Sequence, residues 1–300
     1  MRAWLLPAAV ACAACMQANF VWTADTSAAE ALRARFAVLA PKIAGSQFQR
    51  PLHLESVESS NSVRGDVFAQ VDYPFAEVDQ VFNGPARWCD VLILHINTKF
   101  CGVSNAPSGP VLTVNIGKKV EERLADTSRV EFNYRVAAAT ADYLAVELRA
   151  GKGPLSTSDF RILLESTPID KARSIIHLTY SYSFGATSRL ATQVYLASAG
   201  RSKVGFTTTG NRADGEPDYI GGMRGIVERN TMRYFLAIDA YLGALGAPPA
   251  ARVEQSFQRW YDATEKYPRQ LHEVERTAYL EMKRREYRRQ QEQSRLSSIQ

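Results

Sequence analysis

An alternating stretch near the middle of the chain constrains the fold more than any other feature. In SIIHLTYSYSF, residues 174–184, apolar side chains recur at every second position from Ile176 onward. The apolar face would hold Ile176, Leu178, Tyr180, Tyr182 and Phe184. This period of two predicts an antiparallel strand with one covered face and one wetter face. His177 falls on the wetter face, where we expect it to be solvated.

Shorter runs with the same period predict further strands on both sides of this one. They lie at residues 66–74, 111–117, 129–139, 142–150, 159–166 and 203–210. Glycine and proline turns between several of them are typical of an antiparallel sheet. After the first strand, Phe75 to Phe82 has helical spacing, and a second short helix or loop would carry Trp88. Residues 189–200 fit either a helix or a strand.

Two other segments have the spacing of amphipathic helices. The longer one, residues 223–245, carries a broad apolar stripe that starts at Val227, so it predicts a long helix packed against other elements. Asp239 lies within its apolar half, and the simplest interpretation places this carboxylate at the helix edge in water. A shorter helix is predicted near the N-terminus, with Pro41 as its end.

The first residues have the layout of a secretory signal. One arginine precedes an apolar run from Ala3 to Met16, and polar residues follow. This run is shorter than the roughly 20 residues that a membrane-spanning helix needs. We therefore predict a signal peptide over about residues 1–24 and export to the periplasm. A lipoprotein anchored through Cys15 and a plain N-terminal helix are the alternatives.

Two of the four cysteines, Cys12 and Cys15, lie in the predicted signal peptide. The other two, Cys89 and Cys101, flank an apolar run that contains His95. In an oxidising compartment two such cysteines usually form a disulfide, which is our prediction. Two buried free thiols are the alternative. A metal site is not predicted, because the spacings are not those of known zinc motifs and nothing nearby completes four ligands.

Charge and motifs narrow the function classes. The chain carries a net charge of +5, and its last twenty residues contain six Lys or Arg and three Glu. That helical segment is interpreted either as a solvated helix or as a surface that binds anionic membranes; nucleic acid is not expected for an exported protein. No nucleotide-binding or hydrolase motif occurs, so no cofactor and no catalytic residue is assigned.

The order of these elements resembles that of the START-like, or helix-grip, superfamily, which also contains polyketide cyclases and pathogenesis-related plant proteins. The resemblance rests on VDYPFAEVDQVFNGPARWCDV after the first strand and on GGMRGIVERNTMRYFLAIDAYL as the closing helix. It covers about residues 55–246. The segments YPRQLHE and MKRREY also resemble those of a group of exported bacterial proteins of unassigned function.

The resemblance implies an α+β fold in which a curved antiparallel sheet wraps around the long helix. An N-terminal helix and linker (25–54) would precede this START-like domain (55–246), and a helical basic extension (247–300) would follow it. A cavity between sheet and helix would bind a hydrophobic or amphipathic small molecule, unless its side chains fill a solid core. The predicted lining is Tyr134, Tyr180, Tyr182, Phe184, Tyr234, Phe235, Ile238 and Tyr241.

Three functions are compatible with this architecture. Non-catalytic binding or carriage of a lipid-like molecule is the first, and enzymatic activity is the less favoured prediction. A cyclase or aromatase would use the same cavity, with Asp239 or His95 as the acid–base group. An envelope scaffold would instead act through its C-terminal helices and would show an exposed apolar patch after residue 250. The sequence leaves the oligomeric state open.

Overall fold

The computed structural model describes residues 22–186 and 203–297. Nearly all of the predicted signal peptide, including Cys15, lies outside the described residues. So does the segment 189–200, whose sequence fits either a helix or a strand.

The described strands form one large antiparallel sheet and a separate short hairpin. The large sheet consists of β1 (Leu52–Glu58), β2 (Ser62–Val71), β3 (Thr98–Ala106), β4 (Gly109–Ile116), β5 (Ser128–Ala139), β6 (Leu144–Lys152), β7 (Thr157–Pro168) and β8 (Ser174–Phe184). Its spatial order is β1-β2-β8-β7-β6-β5-β4-β3, so β1 and β3 are its edges. The hairpin consists of β9 (Thr208–Asn211) and β10 (Pro217–Tyr219).

Helices cover both faces of the large sheet. They are α1 (Trp22–Ala44), α2 (Phe75–Phe82), α3 (Pro85–Leu92), α4 (Gly222–Leu242), α5 (Pro249–Thr264), α6 (Pro268–Leu271) and α7 (Arg276–Ser297). Helix α4 is the long helix predicted from the sequence, and it packs against β1, β2 and β8. An antiparallel sheet closed by a long helix is the predicted α+β helix-grip architecture, which is thereby confirmed.

The strands of the large sheet confirm most of the alternation-based predictions, but its two edge strands were not indicated by the sequence. Strand β8 has the predicted bounds, and β4 and β5 begin and end within two residues of theirs. Edge strand β3 was not predicted, because the buried part of it includes a lysine and is too short for alternation to be visible. Edge strand β1 was also not predicted. The strand expected over 203–210 is limited to β9.

The alternation within each strand separates two apolar layers. In β2, Val67 and Ala69 belong to the main core beside α4, whereas Phe68 between them belongs to a smaller cluster beneath α1. The same division occurs in β8, where Ile176 lies in the main core and Ile175 in the smaller cluster. We call the side toward α4 the inner face and the side toward α1 the outer face.

Close approach between α4 and the sheet depends on one glycine. A Cβ atom placed on Gly65 of β2 would lie 2.4 Å from the Thr231 hydroxyl oxygen of α4. Since real Cβ atoms do not approach so closely, any side chain at position 65 would push the helix off the sheet. Gly65 therefore sets the spacing between the two layers that enclose the cavity described below.

Helix α1 runs on past the proline that was predicted to end it. It continues through Pro41 to Ala44, and the Pro41 carbonyl accepts a hydrogen bond from the Gly45 N–H at 3.1 Å. Proline lacks an N–H donor but keeps its carbonyl acceptor, so the last turn can still close. The prediction that Pro41 ends the helix is therefore wrong by about one turn.

The outer face beneath α1 contains a polar network around His177. Its Nδ1 lies 2.7 Å from a Glu165 oxygen and its Nε2 lies 3.0 Å from an Asp66 oxygen, while its ring stacks on Phe68 at 4.0 Å. Burial alone would lower the pKa of His177, but its hydrogen bonds to the two carboxylates outweigh this and raise that pKa above 6.5. The expectation that His177 is solvated is therefore wrong, because α1 covers this part of the face.

The C-terminal helices belong to the main core. Phe257 and Trp260 of α5 and Tyr279 of α7 are buried, and the Trp260 ring stacks on the Tyr279 ring at 4.9 Å. The region after residue 250 is therefore helical as predicted, but its apolar face packs on the same protein.

Polar side chains of α7 cover the exposed edge of the sheet. Glu286 lies 3.0 Å from the Lys99 ammonium and 2.8 Å from the Lys283 ammonium, and all three groups are buried. The Gln290 side-chain oxygen accepts a hydrogen bond from the Cys101 N–H of β3 at 3.0 Å. The interpretation of this helix as solvated is thus wrong along this side, because these polar residues bind the edge strand.

Candidate functional site

A disulfide fixes the loop that carries His95. Cys89 within α3 is joined to Cys101 in β3, with 5.1 Å between their Cα atoms, which confirms the predicted pairing. The loop between them is also held from α7, because the Lys283 ammonium donates to the carbonyls of His95 and Thr98 at 2.8 Å each. Residues 93–97 are therefore anchored from both sides.

A cavity of about 320 Å³ lies between this loop, the inner face of the sheet and α4. Its walls come from the loop after α3, from strands β4, β7 and β8, and from α4. The lining residues are His95, Asn97, Thr98, Ile116, Lys119, Pro154, Leu155, Thr157, Phe160, Tyr180, Tyr182, Ile226, Arg229, Asn230, Arg233 and Tyr234.

One wall of the cavity is aromatic. The ring of Tyr182 stacks on Phe160 with 5.1 Å between centroids, and Tyr180 lies 5.2 Å from Tyr234 across the gap between sheet and helix. The alternation of β8 places Tyr180 and Tyr182 on the inner face, where Phe160 of β7 joins them. Stacked and tilted rings of this kind form an apolar surface of fixed shape.

The opposite wall is polar and basic. His95 and Lys119 reach the cavity from the loop and from the segment after β4, and Arg229, Asn230 and Arg233 reach it from α4. Consecutive turns of α4 place residues 229, 230 and 233 on one side of the helix. The aromatic and basic walls together give the cavity an amphipathic lining.

Glu273 connects several of these basic groups behind the wall. Its carboxylate lies 2.6 Å from the Lys119 ammonium, 2.7 Å from the Arg233 guanidinium and 2.9 Å from the Lys203 ammonium. Burial alone would raise the pKa of Glu273, but these cations outweigh it and lower that pKa to about 2. Burial lowers the pKa of Lys119 to about 8, against the opposing effect of Glu273.

His95 is an almost completely buried ionisable group of the lining. Only 3% of its surface is exposed, and its ring stacks on that of Tyr234 at 4.6 Å. The Asn97 N–H donates to its Nδ1 at 3.2 Å, whereas its Nε2 is buried with no hydrogen-bond partner among the described residues. Burial and the nearby cations Arg233 and Lys283 hold the pKa of His95 well below 6.5. The imidazole is therefore neutral at pH 7.

The structure brings together only part of the predicted cavity lining. Tyr180, Tyr182 and Tyr234 line the cavity. Phe184 packs beside Tyr182, with 6.4 Å between ring centroids, but it lies outside the lining. Whether any of these residues binds a ligand stays a prediction.

The other four predicted residues lie in the packed core instead. Phe235, Ile238 and Tyr241 are buried on sides of α4 that face the sheet and the neighbouring helices. Tyr134 donates a hydrogen bond to the Phe82 carbonyl at 2.9 Å, which directs it to α2. These four residues lie outside the lining of this cavity, because the predicted apolar stripe was broader than the part of α4 that faces it, and their contact with a ligand stays a prediction.

The two residues considered as acid–base groups differ in position. His95 lines the cavity, whereas Asp239 pairs with Arg50 at 2.9 Å outside it. The expectation that Asp239 lies in water is also wrong, because only 20% of its side chain is exposed. Lys119 and Phe160 are lining residues that the sequence analysis missed, since neither stands out in a periodic pattern.

The described residues contain neither a candidate metal site nor a helix that could cross a membrane. Within 22–186 and 203–297, His, Cys, Asp and Glu side chains nowhere form a group of three or more suited to a metal ion. No helix in that part of the chain combines the length and hydrophobicity needed to cross a membrane.

Comparison with known proteins gave structural similarity alone. No family model matches the chain, and no curated protein matches it. The Zhui aromatase/cyclase from Streptomyces sp. R1128 is 14% identical, over 50% of this chain and 86% of its own, with a TM-score of 0.32. A norcoclaurine synthase point mutant from Thalictrum flavum is 11% identical, over 48% of this chain and 90% of its own, with a TM-score of 0.34. Similarity this low carries no argument about activity.

Proposed function

We propose that this protein binds a small amphipathic molecule in the cavity between α4 and the sheet, and that it does so without chemical conversion. The observation that carries the proposal is the two-sided lining, with Tyr180, Tyr182 and Phe160 on one wall and basic side chains on the other. Ligand pockets typically combine an apolar wall with a few polar groups that orient the ligand.

The size of the cavity restricts the class of ligand. Its volume of about 320 Å³ is near the lower end of the roughly 300–1,000 Å³ that is typical of small-molecule pockets. A molecule with one to three rings, or with a single alkyl chain, suits this volume. A phospholipid with two long acyl chains would exceed it.

The surroundings of His95 favour binding over catalysis. A general base works best with a pKa near the working pH and with a partner that orients it. The pKa of His95 is held well below 6.5, and the charged groups near it are cations. The cyclase or aromatase alternative would therefore need an acid–base pair other than His95 and Asp239.

The described residues after position 250 lack the exposed apolar patch that would have favoured the scaffold alternative. An exposed apolar patch after residue 250 was the expected sign, but Phe257, Trp260 and Tyr279 are buried. Among the described residues of that region, Leu296 is the large apolar side chain with high exposure.

We further propose that binding takes place after export. The apolar run from Ala3 to Met16 supports a signal peptide, and the Cys89–Cys101 disulfide is typical of an oxidising compartment such as the periplasm. Arg284, Arg285 and Arg288 are exposed on α7, where Arg284 pairs with Glu254 and Arg285 with Glu121, and we propose that this surface attracts an anionic membrane.

Filling the cavity tests the proposal. Ile226 lines the cavity, so Ile226→Trp should occupy part of its volume. We expect the neutral fluorescent probe N-phenylnaphthylamine to bind the wild type with enhanced emission and to bind this variant much more weakly. Ile169→Trp places the same substitution at an exposed position and should leave binding unchanged. Equal probe binding by all three proteins, each shown to be folded by circular dichroism, would contradict the proposal.

A further inference from the structure

We infer that the ligand enters the cavity as a carboxylate, whose oxygens are bound by the Nε2–H of His95 and the ammonium group of Lys119. This inference rests on the proposed function and specifies the chemical class of the ligand. Three steps support it: the charge of the basic wall, the tautomer of His95 and the room left for an apolar body.

The first step concerns charge. Among the described residues, three cationic side chains, Lys119, Arg229 and Arg233, line the cavity, and the Glu273 carboxylate contacts two of them. Glu273 also pairs with Lys203, so this single carboxylate is shared by the positive charges of Lys119, Arg233 and Lys203. The sequence of the undescribed internal segment 187–202 contains no Asp or Glu that could contribute a further negative charge. The wall therefore carries an excess of positive charge in a partly desolvated place, where an anion is favoured.

The carboxylate of Glu228, the residue before Arg229 on α4, is occupied elsewhere. Glu228 accepts hydrogen bonds from the Ser56 hydroxyl, from the Thr207 hydroxyl and from the backbone N–H groups of Phe206 and Thr207, at 2.6 to 2.9 Å. These bonds hold the loop that precedes β9 against α4. Glu228 is absent from the cavity lining and thus does not supply the missing negative charge there.

The second step concerns the proton of His95. Because the Asn97 N–H donates to Nδ1, that nitrogen carries a lone pair, and the proton of the neutral ring is on Nε2. The Nε2–H is then a buried donor with no acceptor among the described residues. Burying a donor without an acceptor lowers the stability of the fold, so such groups in native proteins usually have a structural or functional explanation. A ligand oxygen would satisfy this one.

The third step concerns size. A carboxylate is a small organic anion with two acceptor oxygens, so it can accept hydrogen bonds from two donors of the lining at once. It leaves most of the cavity of about 320 Å³ for an apolar body against Phe160 and Tyr182. Both an aromatic acid and a medium-chain fatty acid have this chemistry.

Paired acids and alcohols test the inference. Hydrocinnamate and hydrocinnamyl alcohol share an aromatic body, and octanoate and octanol share an alkyl body. We expect isothermal titration calorimetry to show one of the acids, or both, bound by the wild type roughly tenfold to a hundredfold more tightly than its alcohol, because hydrogen bonds to charged groups are the stronger ones. Which acid binds more tightly distinguishes the aromatic from the alkyl source.

Two variants assign the preference to the named residues. Lys119→Met removes the ammonium group at the wall, and His95→Phe keeps the stacked ring but removes the Nε2–H donor. Each should reduce the preference for acid over alcohol, taken as the ratio of the two affinities within the same variant, by about tenfold. Lys118→Met is the matched control, since the Lys118 side chain is 78% exposed and lies outside the lining.

The possible results separate the inference from the proposed function. Equal affinity for acid and alcohol in the wild type overturns the inference but leaves the binding function in place. A preference that survives both variants overturns the assignment to His95 and Lys119. No binding of any of the four compounds, in a wild type that also fails to bind N-phenylnaphthylamine, overturns the binding function and the inference with it.

Discussion

Replacing one buried carboxylate should loosen the C-terminal helix from the sheet. Glu286 lies between the ammonium groups of Lys99 and Lys283, and all three side chains are at most 3% exposed. Glu286→Gln keeps the shape of the side chain but leaves two buried cations without their counter-charge. Removing one partner of a buried ion pair costs about 3–5 kcal/mol. Since glutamine still accepts a hydrogen bond, we expect the free energy of unfolding to fall by about 3 kcal/mol at pH 7.

The loss should depend on pH in a defined direction. Burial lowers the pKa of Lys283 to about 8 in the folded protein, compared with 10.5 for an ordinary lysine. The unfolded chain therefore binds more protons between these values, and stability rises with pH there. Without Glu286 the pKa of Lys283 falls further, so this rise begins at a lower pH in the variant. The deficit of the variant should consequently shrink between pH 7 and pH 10.

Urea denaturation followed by circular dichroism measures this deficit. The matched control is Glu281→Gln on the same helix, because Glu281 is exposed and its nearest cation, Arg285, lies 3.8 Å away. An exposed pair of this kind contributes less than about 0.5 kcal/mol. If Glu286→Gln and Glu281→Gln shift the midpoint equally, or if the Glu286→Gln deficit grows with pH, the reasoning about the buried triad is refuted.

Three further predictions concern the Cys89–Cys101 disulfide, His177 on the outer face of the sheet, and binding to anionic membranes. Replacing Cys89 and Cys101 by serine should lower the free energy of unfolding by roughly 3 kcal/mol in urea titrations, and an unchanged midpoint would contradict this. Because the pKa of His177 is raised in the folded protein, protonated His177 stabilises the fold below pH 6.5, and this stability is lost as the pH rises through the raised pKa. The difference in the free energy of unfolding between the wild type and His177→Gln should therefore be larger at pH 5.5 than at pH 8.5. A difference that stays constant with pH would disprove this. Replacing Arg284 and Arg288 by glutamine should weaken sedimentation with phosphatidylglycerol vesicles at low salt, whereas equal sedimentation would exclude that surface.

The sequence predicted the fold well where alternation was long. Strand β8 and helix α4 were both recognised from periodic apolar residues over more than ten positions. Edge strand β3 was missed, because its buried residues include Lys99 and its second half is exposed. Periodicity reports which side chains are apolar, so it cannot reveal a lysine that is buried against a partner helix.

The candidate site was only partly predictable for the same reason. The tyrosines of β8 follow from alternation, but the basic wall depends on residues distant in sequence, such as Lys119 and Glu273. His177 and Glu286 resemble solvated residues in the sequence and are buried through tertiary ion pairs. Such pairs become visible only when the strands and helices have been placed.

The most direct test of the binding function is native mass spectrometry of the protein purified from the cells that produce it naturally, followed by organic extraction. We expect the wild type to carry about one copy of a small acidic amphiphile and the Ile226→Trp variant to carry none, because tryptophan would occupy part of the cavity. Identification of the extracted molecule would establish its class. A bare chain mass for both proteins, or the same molecule retained by both, would contradict the account.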